Sequence, residues 1–283
     1  MRRGEAPSVE AQRANVETAA TALVPLAREH ELVLTHGNGP QVGLLALQAD
    51  SGRDVAPTPL DVLGAESEGM IGYLLVQALG NRLPGRKIAM VLTQVVVSPE
   101  DPAFGAPSKP IGPVYREVRA RQLAATRGWT IAADGDWFRR VVPSPEPLEI
   151  VEVETVLALL GEQVLPVCAG GGGIPVRRNG DGELRGVEAV IDKDLAAELL
   201  ARSVGAELLL LLTDVAAVEW EGKPLRRATP AELRRLEFPA GSMGPKVEAA
   251  CRFAESTGGV AAIGALGEAA AIVAGEAGTI VSV

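Results

Sequence analysis

The placement of lysine is the first chemical clue in this sequence. Of the 27 basic residues only five are lysines, and three of the five stand beside Gly, Pro or Asp, in Ser108-Lys109-Pro110, Asp192-Lys193-Asp194 and Gly244-Pro245-Lys246. A compact ammonium group serves phosphate oxygens in a way that the planar guanidinium of Arg does not reproduce. The pattern favours phosphate chemistry. The alternative for Lys193 is a plain surface ion pair with its two carboxylate neighbours, worth about 0–1 kcal/mol.

Small and polar residues follow four apolar runs that are typical of buried strands. These segments are His36-Gly37-Asn38-Gly39, residues 170–173, Thr213-Asp214 and the turn at Gly264. In open parallel sheets, ligands bind beyond the carboxyl ends of the strands, where turns and helix N-termini present N–H groups to anions. Phosphoryl transfer needs such N–H groups together with cations and a carboxylate. Each turn alone is equally compatible with a simple tight turn, and we interpret His36 as a brace of its loop rather than a catalytic base.

Several functional classes are excluded by the sequence. It contains neither the Gly-x-x-x-x-Gly-Lys-Ser/Thr phosphate loop nor Gly-x-Gly-x-x-Gly followed by a ribose-binding acid. Its two His and two Cys are too dispersed for a metal cluster, so no metal ligands are assigned. The balance of 27 basic and 36 acidic residues, a net charge of −9, opposes binding to nucleic acid or to an anionic membrane.

Cysteine usage and the absence of long apolar runs predict a cytoplasmic location. Cys168 and Cys251 lie in apolar contexts, which indicates buried thiols in a reducing compartment. No apolar run reaches the about 18 residues of a membrane span. The first residues, Met1-Arg2-Arg3-Gly4-Glu5, are not followed by the apolar region of a secretory signal.

The elements that must position these residues follow an alternating pattern. Strand-like apolar runs alternate with helical patterns, which predicts an α/β fold, a three-layer α/β/α sandwich with a mostly parallel central sheet. We expect residues 1–283 to form a single domain. The proline-rich residues 98–147 are expected to form a protruding lid or small subdomain within it.

The local patterns predict individual elements. The predicted helices cover residues 8–29, 42–49, 66–79 and 195–203, with a further helix from Lys246 to about Ser256. The predicted strands include residues 32–35, 88–97, 164–169 and the leucine-rich run that ends at Thr213. Residues 178–183 indicate a hairpin turn, and Thr229-Pro230-Ala231-Glu232 indicates a capping box.

The ordered motifs of this chain resemble those of the carbamate kinases, within the amino-acid-kinase fold. The segment His36-Gly37-Asn38-Gly39-Pro40-Gln41-Val42-Gly43 is similar to a signature of that family. The resemblance continues, in the family order, through Lys109-Pro110-Ile111-Gly112-Pro113, residues 170–176, Ile191-Asp192-Lys193-Asp194, Leu212-Thr213-Asp214 and Gly241-Ser242-Met243-Gly244-Pro245-Lys246. The Lys109 segment and the proline-rich region distinguish carbamate kinases from acetylglutamate, glutamate, aspartate and uridylate kinases.

The resemblance implies an enzyme that interconverts ATP plus carbamate with ADP plus carbamoyl phosphate. It further implies Mg²⁺ with the nucleotide, a cytoplasmic homodimer and a place in arginine metabolism. By motif position, the implied catalytic residues are Lys109, Lys193, Asp194 and Lys246. The implied substrate-binding residues are His36, Gly37, Asn38, Gly39, Gly171 and Gly172, and the implied nucleotide-binding residues are Thr213, Asp214, Met243, Gly244 and Lys246.

The beginning of the sequence departs from the family pattern. Carbamate kinases open with a strand that ends in Gly-Gly-Asn-Ala-Leu, whereas this sequence begins with Met1-Arg2-Arg3-Gly4-Glu5 and matches the family just after that loop. We therefore expect the first strand and its phosphate loop to be lacking. Two other functions stay open: a catalytically impaired homologue that binds nucleotide or acts as a regulatory protein, and another small-molecule kinase of the amino-acid-kinase fold. A start codon upstream of Met1 is a further explanation of the departure.

Overall fold

The computed structural model describes residues 8–38, 41–49, 58–238 and 243–283. The α-helices of these residues are α1 (Val9–Glu29), α2 (Gln41–Ala49), α3 (Leu60–Arg82), α4 (Glu117–Arg127), α5 (Val153–Gly161), α6 (Lys193–Ser203), α7 (Pro230–Leu233), α8 (Met243–Thr257) and α9 (Ala269–Val273). The strands are β1 (Ile88–Met90), β2 (Gln94–Val97), β3 (Lys109–Tyr115), β4 (Thr130–Asp134), β5 (Trp137–Val142), β6 (Pro147–Ile150), β7 (Leu165–Val167), β8 (Ile174–Arg178), β9 (Leu184–Gly186), β10 (Leu208–Thr213), β11 (Glu219–Trp220), β12 (Lys223–Pro224), β13 (Arg227–Ala228), β14 (Val260–Ala265) and β15 (Thr279–Val281).

Parallel strand pairs covered by helices confirm the predicted α/β class. The parallel pairs are β1 with β7, β2 with β8, β10 with β14 and β13 with β15. Helices α1 and α3 pack with Leu34 and β7 in one apolar core, while α6 and α8 pack with β10 and β14 in another. Both cysteines are buried free thiols, as predicted: Cys251 lies in the core of α6 and α8, and Cys168 lies in a third core with Val95 and Ile191.

Two predicted strands differ from the structure. Residues 88–97 do not form one strand, because β1 pairs with β7 whereas β2 pairs with β8, and residues 91–93 between them belong to neither strand. Residues 32–35 form only a single parallel bridge, from Leu34 to Val167. An apolar run forms a strand only where a neighbouring backbone segment pairs with it through hydrogen bonds. The sequence pattern does not show which segment that is.

A cavity separates the two halves of the sheet. In the described chain β10 has only β14 as a hydrogen-bonded neighbour, and its free edge lines a cavity of about 1400 Å³. Residues 32–37 line the cavity from the opposite side, and α1, α3 and α6 contribute apolar side chains to it. One region of this cavity reaches the candidate site described below.

The proline-rich region forms a small sheet that packs against the rest of the chain. Strands β3, β5 and β4 make a three-stranded antiparallel sheet, followed along the chain by the return to β6. It docks on α2 where Gly43 meets Gly112, at which φ is +70° and a β-carbon on Gly43 would overlap the Gly112 backbone. This close approach positions the strand that begins with Lys109. Its action as a lid remains a prediction.

Local sequence signals agree with several elements. Helix α1 covers the predicted span and α3 extends beyond it at both ends. Strands β8 and β9 form the predicted hairpin, and Thr229 and Glu232 form the reciprocal hydrogen bonds of a capping box. Within the described ranges, none of the helices combines the length and the apolar character needed to cross a bilayer.

Candidate active site

The N-terminus of α6 organises the candidate site. Asp192 is the N-cap of this helix, and its Oδ1 accepts a hydrogen bond of 2.9 Å from the backbone N–H of Asp194. This cap starts the helix at Lys193 and so fixes Lys193 and Asp194 in its first turn. The predicted motif therefore lies at a helix N-terminus, where backbone N–H groups and the helix dipole favour anions.

Asp194 holds two lysines on one oxygen atom. Its Oδ2 accepts from Nζ of Lys193 and from Nζ of Lys246, each at 3.0 Å. Asp194 is 6% exposed and Lys246, in the first turn of α8, is 7% exposed. The side chain of Lys193 is itself 40% exposed, but its ion pair is more than a plain surface pair, because its carboxylate partner is buried and shared with a second, buried lysine.

The pKa values of the two ammonium groups shift in opposite directions. Burial lowers the pKa of Lys193, but the Asp194 and Asp192 carboxylates outweigh it and leave the pKa above its usual value. Burial and the nearby Lys193 charge lower the pKa of Lys246, which Asp194 offsets only in part. One carboxylate for two cations leaves a net positive charge that an anionic ligand can neutralise.

Lys109 reaches this helix N-terminus from the small sheet. Its Nζ donates to Oδ2 of Asp192, on the oxygen that does not cap the helix. Burial raises the pKa of Asp192, but the positive charges of Lys109 and Lys193 overcome this and hold it below its usual range. Lys109 thereby joins Lys193 and Lys246 around two neighbouring aspartates.

Two glycine-containing segments interlock beside the lysines. The backbone N–H of Gly171 donates to the carbonyl oxygen of His36 at 2.6 Å, and a β-carbon at position 171 would overlap the Asn38 amide. A β-carbon on Gly37 would lie 3.0 Å from Cδ of Lys193, and one on Gly172 would meet the carbonyl of Ile191. Only glycine permits these approaches, so the predicted segments 36–38 and 170–173 do converge on α6.

His36 behaves as a structural group in this arrangement. Burial lowers its pKa to about 4, and its Nδ1 faces the carbonyl oxygen of Gly37 at 3.5 Å. A buried imidazole that stays neutral is a poor base at neutral pH, which agrees with the interpretation of His36 as a brace. Within the described residues, Nε2 of His36 and Oδ1 of Asn38 are buried without a hydrogen-bond partner.

The residues predicted to bind nucleotide lie on the cavity side of the lysines. Thr213 ends β10 and Asp214 follows it, and both line the same cavity as Lys193, Asp194 and Lys246. The Thr213 hydroxyl donates to Oδ1 of Asp214 at 3.2 Å. Met243 and Gly244 open α8, where Met243 packs against an apolar core. Gly39 lies outside the described residues.

Glu68 and Thr93 belong to this neighbourhood and were not predicted from the sequence. Glu68 Oε1 accepts from the backbone N–H of Gly170 at 3.0 Å, and the Thr93 hydroxyl accepts from that of Ala169 at 2.9 Å. The sequence does contain a signal for Glu68. This charged residue lies on the buried face of α3, together with Ile71 and Leu75, which follow it by three and seven positions. Thr93 carries no comparable signal.

Comparison with known proteins gives a consistent result. A sequence profile described as the Amino acid kinase family matches residues 4–263. The chain is 51% identical to "Carbamate kinase" from Rhizobium meliloti (strain 1021), covering 100% of this chain and 90% of the relative. It is 51% identical to "Carbamate kinase" from Haemophilus influenzae, covering 99% and 92% of the two chains. A solved structure, "Carbamate kinase from Giardia lamblia bound to citric acid", superposes with a TM-score of 0.94 at 40% identity, covering 100% of this chain and 94% of that one.

Proposed function

Because the chain belongs to the amino acid kinase family and, within it, to the carbamate kinases, we propose that it transfers a phosphoryl group between carbamoyl phosphate and ADP. The products are carbamate and ATP, and the reverse reaction uses the same groups. The single observation that carries the proposal in this chain is the pair of lysines on Asp194, set at a helix N-terminus beside two interlocked glycine segments.

The lysines are suited to the transferring phosphoryl group. In transfer from carbamoyl phosphate, the bond between phosphorus and the carbamate oxygen breaks while a bond to a β-phosphate oxygen of ADP forms. Positive charges fixed around the equatorial oxygens stabilise the transition state without reorganisation. Lys193 and Lys246 supply these charges, Asp194 orients both, and Lys109 adds a third from the small sheet.

The carbamoyl end and the nucleotide are assigned to opposite sides of the lysines. Gly37, Asn38, Gly39, Gly171 and Gly172 are the proposed contacts of carbamoyl phosphate, with His36 as the brace. Thr213 and Asp214 are the proposed contacts of the nucleotide, because they line the cavity beside Lys246. Met243 and Gly244 are assigned to the nucleotide by their position at the start of α8.

Mg²⁺ fits this site as a companion of the nucleotide. Among the described residues no group of three or more His, Cys, Asp or Glu side chains could hold a metal ion by itself. Mg²⁺ usually keeps several waters and binds through one or two carboxylates plus substrate phosphates. Asp214, at the cavity beside Lys246, is the residue proposed to supply that carboxylate. When bound, the ion would neutralise charge on the nucleotide phosphates.

Other proposals rest on the family resemblance. A cytoplasmic homodimer in arginine metabolism is proposed on that ground. Another small-molecule kinase activity is not favoured, because the relatives at 51% identity over nearly the whole chain are carbamate kinases.

The test is a substrate comparison with the chain as printed. ATP formation from carbamoyl phosphate and ADP is measured in the presence of Mg²⁺ by a coupled assay. In the reverse direction, ADP release from ATP is compared with carbamate, N-acetylglutamate, aspartate or UMP as the acceptor. We expect turnover with carbamoyl phosphate and with carbamate alone among the acceptors. ADP binding by calorimetry without turnover would contradict the proposal and support a binding protein.

A further inference from the structure

Glu68 is a carboxylate at an unusual place, the interior of the fold next to the glycine turn. Its side chain is 0% exposed, and no described cation forms an ion pair with it. A buried carboxyl group without a cation is costly, so its presence beside a ligand site marks it as a candidate functional residue.

The two oxygens of Glu68 hold two backbone segments. Oε1 accepts from the N–H of Gly170 at 3.0 Å, and Oε2 accepts from the N–H of Thr93 at 3.4 Å. Thr93 in turn accepts from Ala169, a non-glycine residue with a φ of +49°. A positive φ at alanine is strained and persists only where surrounding contacts impose it. Glu68 supplies these contacts directly at Gly170 and through Thr93 at Ala169.

The turn held by Glu68 also carries the contact to the other glycine segment. Gly171, next to Gly170, donates to the carbonyl oxygen of His36. A β-carbon at position 170 would lie 3.0 Å from Cγ of Glu68 and would overlap the His36 imidazole. The carboxyl group and the imidazole therefore both pack against Gly170, and together they enclose the turn.

The groups around Glu68 leave it without a compensating positive charge. Burial raises the pKa of Glu68 to about 8, against the effect of the Gly170 and Thr93 N–H groups. The neighbouring titratable groups are His36, whose pKa burial lowers to about 4, Cys168, whose pKa burial raises to about 12, and the acidic Glu152.

We propose that Glu68 is a positioning residue of the carbamoyl phosphate site, whose two carboxyl oxygens hold the turn at residues 169–171 against His36 and Asn38. This inference rests on the proposed function for the identity of the anion.

The experiment measures kcat and the KM for carbamoyl phosphate at pH 7 in the wild type, Glu68→Gln and Glu68→Ala. Glu198→Gln is the matched control, because Glu198 is also buried but pairs with Arg202 on α6. Glu68→Gln keeps one acceptor oxygen and replaces the other with an NH2 group. We expect it to raise the KM at least threefold, with a smaller change in kcat, and we expect Glu198→Gln to stay within twofold of the wild type.

Glu68→Ala removes both hydrogen-bond acceptors, so we expect at least a tenfold higher KM at pH 7 with a smaller change in kcat. A Glu68→Ala KM within twofold of the wild type would overturn the proposal. If Glu68→Ala does not fold, Glu68→Gln decides, and a KM of that variant within twofold of the wild type would overturn the proposal.

Hydrogen exchange separates this proposal from the proposed function. We expect the amides of residues 169–171 to exchange at least tenfold faster in Glu68→Ala than in the wild type and in Glu198→Gln. If the wild type makes no ATP from carbamoyl phosphate and ADP, the proposed function fails while the exchange measurement still tests whether Glu68 holds the turn. Unchanged exchange in a folded Glu68→Ala would overturn that role.

Discussion

Asp194 lies between two regions that differ in packing. On the glycine side, which comprises residues 36–38 and 170–173, backbone and side chains interlock, although His36 and Gly37 also line the edge of the cavity. On the cavity side, which comprises Thr213, Asp214 and the first turn of α8, the Asp214 side chain is exposed and a cavity extends away from Lys246.

The difference teaches how one pair of lysines can serve two ligands of unequal size. The glycine side is held from behind by Glu68 and Thr93, which accept hydrogen bonds from the backbone N–H groups of Gly170 and Ala169. The cavity side has space and few fixed partners, which suits a larger ligand. Lys193 and Lys246 stand at the boundary, where a phosphoryl group would pass from one ligand to the other.

The largest effect is expected at the shared carboxylate. Asp194→Asn removes the negative charge that holds both ammonium groups, so the lysines repel each other and lose their positions on both sides. We expect kcat to fall by at least about a hundredfold, about 2.7 kcal/mol, in the coupled assay. Asp181→Asn, at the exposed hairpin, is the control and should be unchanged. A variant that keeps most of its activity would show that Asp194 does not join the two sides.

The loss of either lysine alone is expected to lower turnover less than the loss of the Asp194 charge, which both lysines share. Lys246→Ala and Lys193→Ala should each lower turnover by at least about tenfold, at about 1.36 kcal/mol per tenfold change. Each loss leaves Asp194 with its other partner, which limits the structural damage. Lys223→Ala, an exposed lysine in β12, is the matched control. Rates near the wild type in either site variant would refute its assigned role.

A smaller effect, on stability, is expected at the ion pair between Lys109 of the small sheet and Asp192. The pKa of Asp192 is held below its usual range in the folded chain, so the stability it contributes is present above the unfolded pKa of about 3.9 and is lost as pH falls through the folded value. Asp192→Asn should lower Tm at pH 7 by about 2–4 °C per kcal/mol lost. Thermal unfolding from pH 2 to 7 should show the Tm difference between the wild type and Asp192→Asn disappearing at acid pH. A Tm difference that stays constant would mean that the contact between Lys109 and Asp192 contributes no electrostatic stability.

Sequence reasoning predicted the site better than it predicted the sheet. The motif around Lys193 was recognisable because lysine is rare in this chain. The glycine segments were recognisable because few structures accommodate four small residues in a row. The break of residues 88–97 at Thr93 was not recognisable, since it depends on hydrogen bonds from β7, β8 and Glu68, which are remote in sequence. Glu68 itself was missed because a single charge on an apolar helix face does not reveal which backbone it contacts.

The most direct test of the two-sided site is a crossed measurement of two KM values. Asn38→Ala removes an amide of the glycine side whose Oδ1 has no partner among the described residues, and Asp214→Asn removes the carboxylate of the cavity side. We expect Asn38→Ala to raise the KM for carbamoyl phosphate by about tenfold, as for the loss of a hydrogen bond from the carbamoyl NH2 group to this oxygen, and to leave the KM for ADP within twofold. Asp214→Asn should raise the KM for ADP and leave the KM for carbamoyl phosphate within twofold. If both variants change the same KM, the division of the site between two ligands is contradicted.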